Sequence, residues 1–254
     1  MLAALLPAEL FVFALVFVRI GTAMMLLAGF GEQFVSARIR LVMALTVSFL
    51  VTPIVAPALP AMPEVPVTLL VLILGEIVIG LFLGTITRLL LAVFATAGMI
   101  IAFMSALANA LTNDPSAAQQ GSIAGTFLTL IGLIVIFALD LHHPMLAALV
   151  NSYQLFVPGE ALPVEDFANM IAALVAKVFL LAFQIGMPFV AASLIFYLGM
   201  GLLARLMPQV QIFFIAMPIQ ITAGLVILFL TLPVAVGWFM TAFQDTLRPF
   251  AVPG

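Results

Sequence analysis

Six apolar stretches, each set off by a polar or proline-bearing break, divide the sequence: Leu10–Phe30, Leu41–Leu59, Val67–Leu111, Ile123–Leu139, Ile171–Leu203 and Ile212–Phe239. Crossing a hydrocarbon core takes about 20 apolar residues in a helix. Lipid offers no partners to backbone N–H and C=O groups, and the alternation of a spanning barrel strand is missing, so every stretch is predicted helical. Of the breaks, Glu32–Arg40 is a charged turn, and Pro53, Pro57, Pro60, Pro63 and Pro66 read as a rigid, extended link. Thr112–Gly121 is the most polar stretch, Asn151–Asp166 is acidic with a Pro158-Gly159 turn, and Pro208–Gln211 is a short elbow. Thr241–Gly254 reads as a loosely held tail.

Val67–Leu111 is too long for one crossing. As a single helix it would run about 68 Å, more than twice the hydrocarbon thickness. It is either a tight hairpin, with Arg88 at its turn, or one helix projecting far from the bilayer, and the pattern leaves both open. Positive charge places Glu32–Arg40 and the Arg205 elbow on the cytoplasmic side. With the hairpin, five segments separate those two turns. An odd count cannot return the chain to the same side, so either the charge signal is too weak or some hairpins do not span.

Composition settles the class. Of 254 residues, 66% are hydrophobic and 7% charged, against about 45–50% and about 25% in soluble domains. Too few charges exist to cover a water-exposed surface, which excludes a soluble enzyme, a nucleic-acid binder and a disordered chain. The formal net charge of −3 points to no charged partner, and the seven basic residues form no polybasic patch. With no cysteine, disulfides, thiolate metal sites and cysteine nucleophiles are absent. Glu9 and Arg19 interrupt the first apolar run, which reads as a retained helix and not a cleaved signal.

Few residues could carry chemistry. Glu76, Gly80, Gly84 and Arg88 recur every fourth position and share one helix stripe. Gly80 and Gly84 allow a neighbouring backbone to approach closely. The stripe is either an ordinary packing face whose charges snorkel from its ends, or a buried Glu76 that meets an arginine or polar group on a partner subunit. Arg19 lies mid-run in FVRIGTAMML and requires a partner-lined or watery setting, whereas Lys177 reaches the interface from the end of its stretch. His142 and His143 follow Asp140, but adjacent histidines point about 100° apart on a helix and no further histidine completes a zinc site. A loop whose polar ends cap a helix is the expectation there, with no metal. GxSxG, P-loop and GxGxxG motifs are missing, so neither a catalytic residue nor a cofactor is expected. Pro188, Pro218 and Pro233 would kink their helices.

Collinear motifs run almost the whole length: FVRIG at Arg19, LGEIVIGLFLG at Glu76, ALTNDP through Asp114-Pro115, DLHH, NSYQLFVPG from Asn151, GMPFV at Pro188, and LGMGLLARLMPQVQIFFIAMPIQITAGL. In this order they resemble the FliR family of flagellar export-gate proteins, related to the T-type subunit of type III secretion. The resemblance implies an all-α membrane protein, a bundle of kinked helical hairpins of which some do not fully span. It implies one integral membrane domain over residues 1–254, with a P-like part to about residue 203 and a Q-like part over about 204–254. It further implies the bacterial inner membrane at the flagellar basal body. FliP-like and FliQ-like subunits would form with this chain a channel for unfolded export substrates, joined by FlhB-like and FlhA-like proteins, with no enzymatic activity of its own. Arg19, Glu76, Gly80, Gly84, Arg88, Arg205, Pro208, Gln209, Phe213 and Pro218 are then assembly residues, with Arg19, Glu76 and Arg205 satisfied between subunits. By the same analogy, Leu107, Asn109, Asn113, Asp114, Pro115 and Ser116 belong to a channel plug. The alternative is a self-sufficient proton-coupled transporter with Glu76 and Asp140 as carriers, although no internal duplication supports it. An intramembrane hydrolase would need a nucleophile–base pair that is not found.

Overall fold

The computed structural model describes residues 2–107, 122–206 and 212–251, with side chains described over 9–107, 122–206 and 216–250. Among these the chain is all-α. The helices are α1 (Leu2–Leu26), α2 (Ala37–Val55), α3 (Pro66–Met104), α4 (Ile123–Ala138), α5 (His142–Leu155), α6 (Val164–Leu206) and α7 (Ile212–Ala251). Five helices are long and apolar enough to cross a membrane, or six spans if the bent α4–α5 pair counts as one. The chain is an integral membrane protein.

The proline-rich link is less extended than its composition implies. Pro53 lies inside α2, Pro57 in a 3-10 turn over Ala56–Ala58, and Pro66 is the first residue of α3. There a fixed φ suits the helix and the missing N–H had no intrahelical acceptor. α3 is one unbroken helix of 39 residues, about 58 Å long. The hairpin reading is therefore overturned: no proline follows Pro66 within α3, and Arg88 sits mid-helix. Four segments (α2, α3, α4–α5 as one, and α6) now separate the two basic turns. Counted so, the number is even and both turns can lie on one side; with α4–α5 as a re-entrant pair it is three, and odd.

Two further corrections concern helix ends. Residues 151–155 were expected in a break, but they form the last turns of α5, which meets α4 at 72°. Between the two, Asp140 adopts a left-handed φ of 56°. Pro188 lies inside α6, which runs 43 residues. Residues 241–251, expected as a tail, complete the 40-residue α7 and bury Ala242, Phe243, Leu247 and Phe250. Burial of that apolar face holds this end in place.

The chain divides into two compact units. The first takes the described parts of Met1–Leu90, Ile136–Leu174 and Phe243–Gly254. Its core joins Val16, Ile20 and Met24 of α1, at helical spacing, to Ala44, Val51 and Val55 of α2 and Tyr153 of α5. Phe82 stacks on Phe167 with centroids 4.0 Å apart and meets Phe156 and Phe250 edge-on. The second unit takes Leu91–Val135 and Val175–Ala242. In it α3 and α4 touch backbone to backbone, since a Cβ on Gly98 would collide with the main chain of Gly125. Ser122 caps α4 there, donating to Gly98 O at 2.8 Å and accepting from Gly125 N at 2.8 Å.

Candidate functional site

The first unit is built around a buried ion pair. Arg19 of α1 is 0% and Glu76 of α3 1% exposed. Arg19 Nε donates to Glu76 Oε2 at 2.6 Å and Nη2 to Oε1 at 2.9 Å, a two-pronged match of planar guanidinium to planar carboxylate. Nη2 also donates to the carbonyl of Phe156 at 3.0 Å, and Nη1 to Ser152 Oγ at 3.1 Å. The guanidinium lies 3.9 Å from the Tyr153 ring centroid, where the ring face attracts a cation. Phe156 caps the end of α5, so its carbonyl has no intrahelical donor and is free to accept.

Local sequence makes this geometry possible. α1 must approach α3 closely for Arg19 to reach Glu76, and Gly80 and Gly84 remove the obstacle. A Cβ on Gly80 would overlap Arg19 O and Thr22 Oγ1, and one on Gly84 would sit 2.8 Å from Ala23 O. One turn further on, Thr87 Oγ1 accepts from Ala28 N at 3.1 Å and donates to Gly84 O at 2.9 Å. The next turn is held by Arg40, which donates to the carbonyls of Phe30, Glu32 and Val35 at 3.2, 2.9 and 3.2 Å.

Arg19 and Glu76 were expected to find partners on other subunits, and here the structure corrects the sequence reading. They satisfy one another within one chain, and the Gly80–Gly84 contact is also internal. Such a closed, buried pair ties α1, α3 and the end of α5 together.

A second polar cluster lies in the other unit. Gln220 Nε2 donates to Met104 O at 2.7 Å, where α3 ends, and to Tyr197 Oη at 3.1 Å. Ser193 Oγ lies 3.1 Å from Met104 Sδ.

The Asp140–His142–His143 group brings one ligand atom of each residue within 4.8 Å of the others. Asp140 and His143 are 71% and 69% exposed. A metal on His142 Nε2 would leave the proton on Nδ1, a buried atom with no acceptor among the described residues, the reverse of the hydrogen-bonded second nitrogen that metal-ligating histidines show. Nor do these side chains cap α5 as expected: its N-cap is Leu141, with no side-chain cap.

The chain matches the family model of bacterial export proteins, family 1, over residues 10–246. It belongs to this family. The flagellar biosynthetic protein FliR of Caulobacter vibrioides is 38% identical over 91% of this chain and 92% of its own. FliR of Bacillus subtilis is 30% identical over 93% and 92%. A more distant relative, Yop proteins translocation protein T of Yersinia pestis, is 27% identical over 65% and 66%. This FliR-family chain is thus a component of a bacterial export apparatus, a class of transport proteins and not of known enzymes.

The remaining expected residues scatter. Arg88 and Arg205 of the FliR-family chain are exposed and make no ion pair or hydrogen bond among the described residues. Pro218 is exposed, its carbonyl accepting from Thr222 Oγ1 at 2.8 Å. Phe213 lies in the first turn of α7, its side chain outside those described. Leu107 follows α3 and is half-buried. Asn109, Asn113, Asp114, Pro115, Ser116, Pro208 and Gln209 lie outside the described residues. Sequence reasoning missed Ser152, Tyr153 and the Phe156 carbonyl as partners of Arg19. The sequence signal is NSYQLFVPG, a motif that spans the last turns of α5 and the turn after it.

Proposed function

We propose that this chain is a core subunit of the flagellar type III export gate in the bacterial inner membrane at the basal body. With FliP-like and FliQ-like subunits it lines the channel for unfolded export substrates, and FlhB-like and FlhA-like proteins join at the cytoplasmic side. The reading is carried by the family match over residues 10–246, and the chain's outer surface supports it. Helices of 39, 43 and 40 residues run about 58–65 Å, roughly twice a hydrocarbon core. Length beyond the lipid, together with exposed Arg88 and Arg205, calls for neighbouring protein. In this reading Arg88, Arg205, Pro208, Gln209, Phe213 and Pro218 face other subunits. Residues to about 203 form a P-like part and the rest a Q-like part. The segment holding Leu107, Asn109, Asn113, Asp114, Pro115 and Ser116 plugs the closed channel.

The transporter alternative loses its strongest support because Glu76 is locked by Arg19 and Asp140 stands at the surface. The test is co-expression with FliP-like and FliQ-like subunits. Arg88→Glu is expected to give a folded chain that no longer co-purifies with them, and undiminished co-purification would overturn the assigned surface. Deleting residues 109–116 is expected to preserve the complex but make vesicles leak ions. A tight vesicle would remove the plug.

A further inference from the structure

A cleft of about 410 Å³ opens in the first unit between the N-terminal half of α3 and residues 157–164. Leu72, Gly75 and Ile79 line one side, Val157 and Leu162 the other, and Gly159 turns the loop at a left-handed φ of 93°. Exposed Val71, Leu74 and Val78 line the cleft as well, and the apolar surface continues along α3 through exposed Val67 and Leu70. An apolar groove alone would suit a lipid tail. The rim argues otherwise.

Glu160 stands in the cleft wall. Glu64 precedes the start of α3 by two residues, and Glu165 and Asp166 occupy the first turn of α6 beside lining residue Val164. All four are exposed, and residues 56–79 and 156–174 contain no lysine or arginine. Arg19, behind the cleft, is already neutralised by Glu76. Four carboxylates repel the phosphate that every phospholipid carries just above its tails, and they attract a cation.

We propose that the cleft is a docking groove for an apolar helix of another polypeptide, one that brings a lysine or arginine to the level of the acidic rim. This rests on the reading of the chain as one subunit of an assembly, and it specifies the chemistry of the neighbour. The helix lays its apolar face on α3 between Val67 and Val78 while its cation meets Glu160 and the first turn of α6.

The sequence has no cysteine, so Leu74→Cys carries an environment-sensitive fluorophore at one site on the full-length chain in neutral detergent. The probes are a leucine–alanine helical peptide with two lysines at one end and the same peptide with two glutamates. The lysine peptide is expected to shift the fluorescence saturably and the glutamate peptide to bind at least about tenfold more weakly. Glu160→Lys with Glu165→Lys should reverse the order. Equal binding of both peptides, or displacement of the lysine peptide by phosphatidylglycerol micelles, would overturn the proposal. The same double variant is then co-expressed with FliP-like and FliQ-like subunits. If the parent chain fails to co-purify, the gate reading falls whatever the peptides do. If parent and variant co-purify equally, the groove proposal falls and the gate reading stands.

Discussion

Glu76→Gln keeps the volume of the side chain but leaves the fully buried Arg19 guanidinium facing a neutral amide. An uncompensated buried charge typically costs about 3–5 kcal/mol, whereas replacing both members by apolar residues of similar size is often neutral. Glu76→Gln is therefore expected to lower the thermal unfolding midpoint in detergent sharply, and Arg19→Met with Glu76→Leu to restore most of it. Equal losses in single and double variants would mean that Arg19 serves Ser152 and Phe156 more than Glu76. Both charges are visible in the sequence, each conspicuous in an apolar run. Their union is not, because 57 positions separate them and nothing local sets the register of α1 against α3. A sequence pattern marks a residue that needs a partner and does not say which one.

At the scale of the helix, two helical glycines play different parts. Gly80 lies where any side chain would strike the backbone of α1, so Gly80→Ala is expected to destabilise the chain. Gly237 of α7 has no atom of the described residues within 4 Å of where a Cβ would stand. Gly237→Ala should raise stability by about 0.5–1 kcal/mol through helix propensity alone. The comparison is read by thermal unfolding of both variants, and equal shifts would remove the close-approach argument. Most helices were legible from apolar runs, including the glycine stripe as a contact face. Two things were not. A 39-residue helix and a hairpin share one hydropathy profile, and only the lack of a helix breaker near Arg88 separates them. Residues 241–251 look polar enough for a tail because their apolar positions, Ala242, Phe243, Leu247 and Phe250, fall on one face among exposed Asp245 and Arg248.

For the molecule as a whole, that last stretch returns the end of the chain to the first unit. Asn151 Nδ2 donates to Phe250 O at 3.3 Å, and the Phe250 ring meets Phe82 at 6.2 Å. Truncation after residue 240 is thus expected to expose the faces of α3 and α5 and to speed proteolysis of the full first unit. An unchanged digestion pattern would show the closing segment to be dispensable. The family was readable in advance because its motifs are strung along the whole chain. The two compact units were not, since each gathers segments from three or two distant parts of the sequence.

Closure of the Arg19–Glu76 pair inside a single polypeptide bears on the order of events in the cell. A subunit whose most costly charges are already cancelled when it leaves the insertion machinery can wait in the bilayer as a folded reserve. In the gate reading proposed above, synthesis and incorporation then need not be simultaneous.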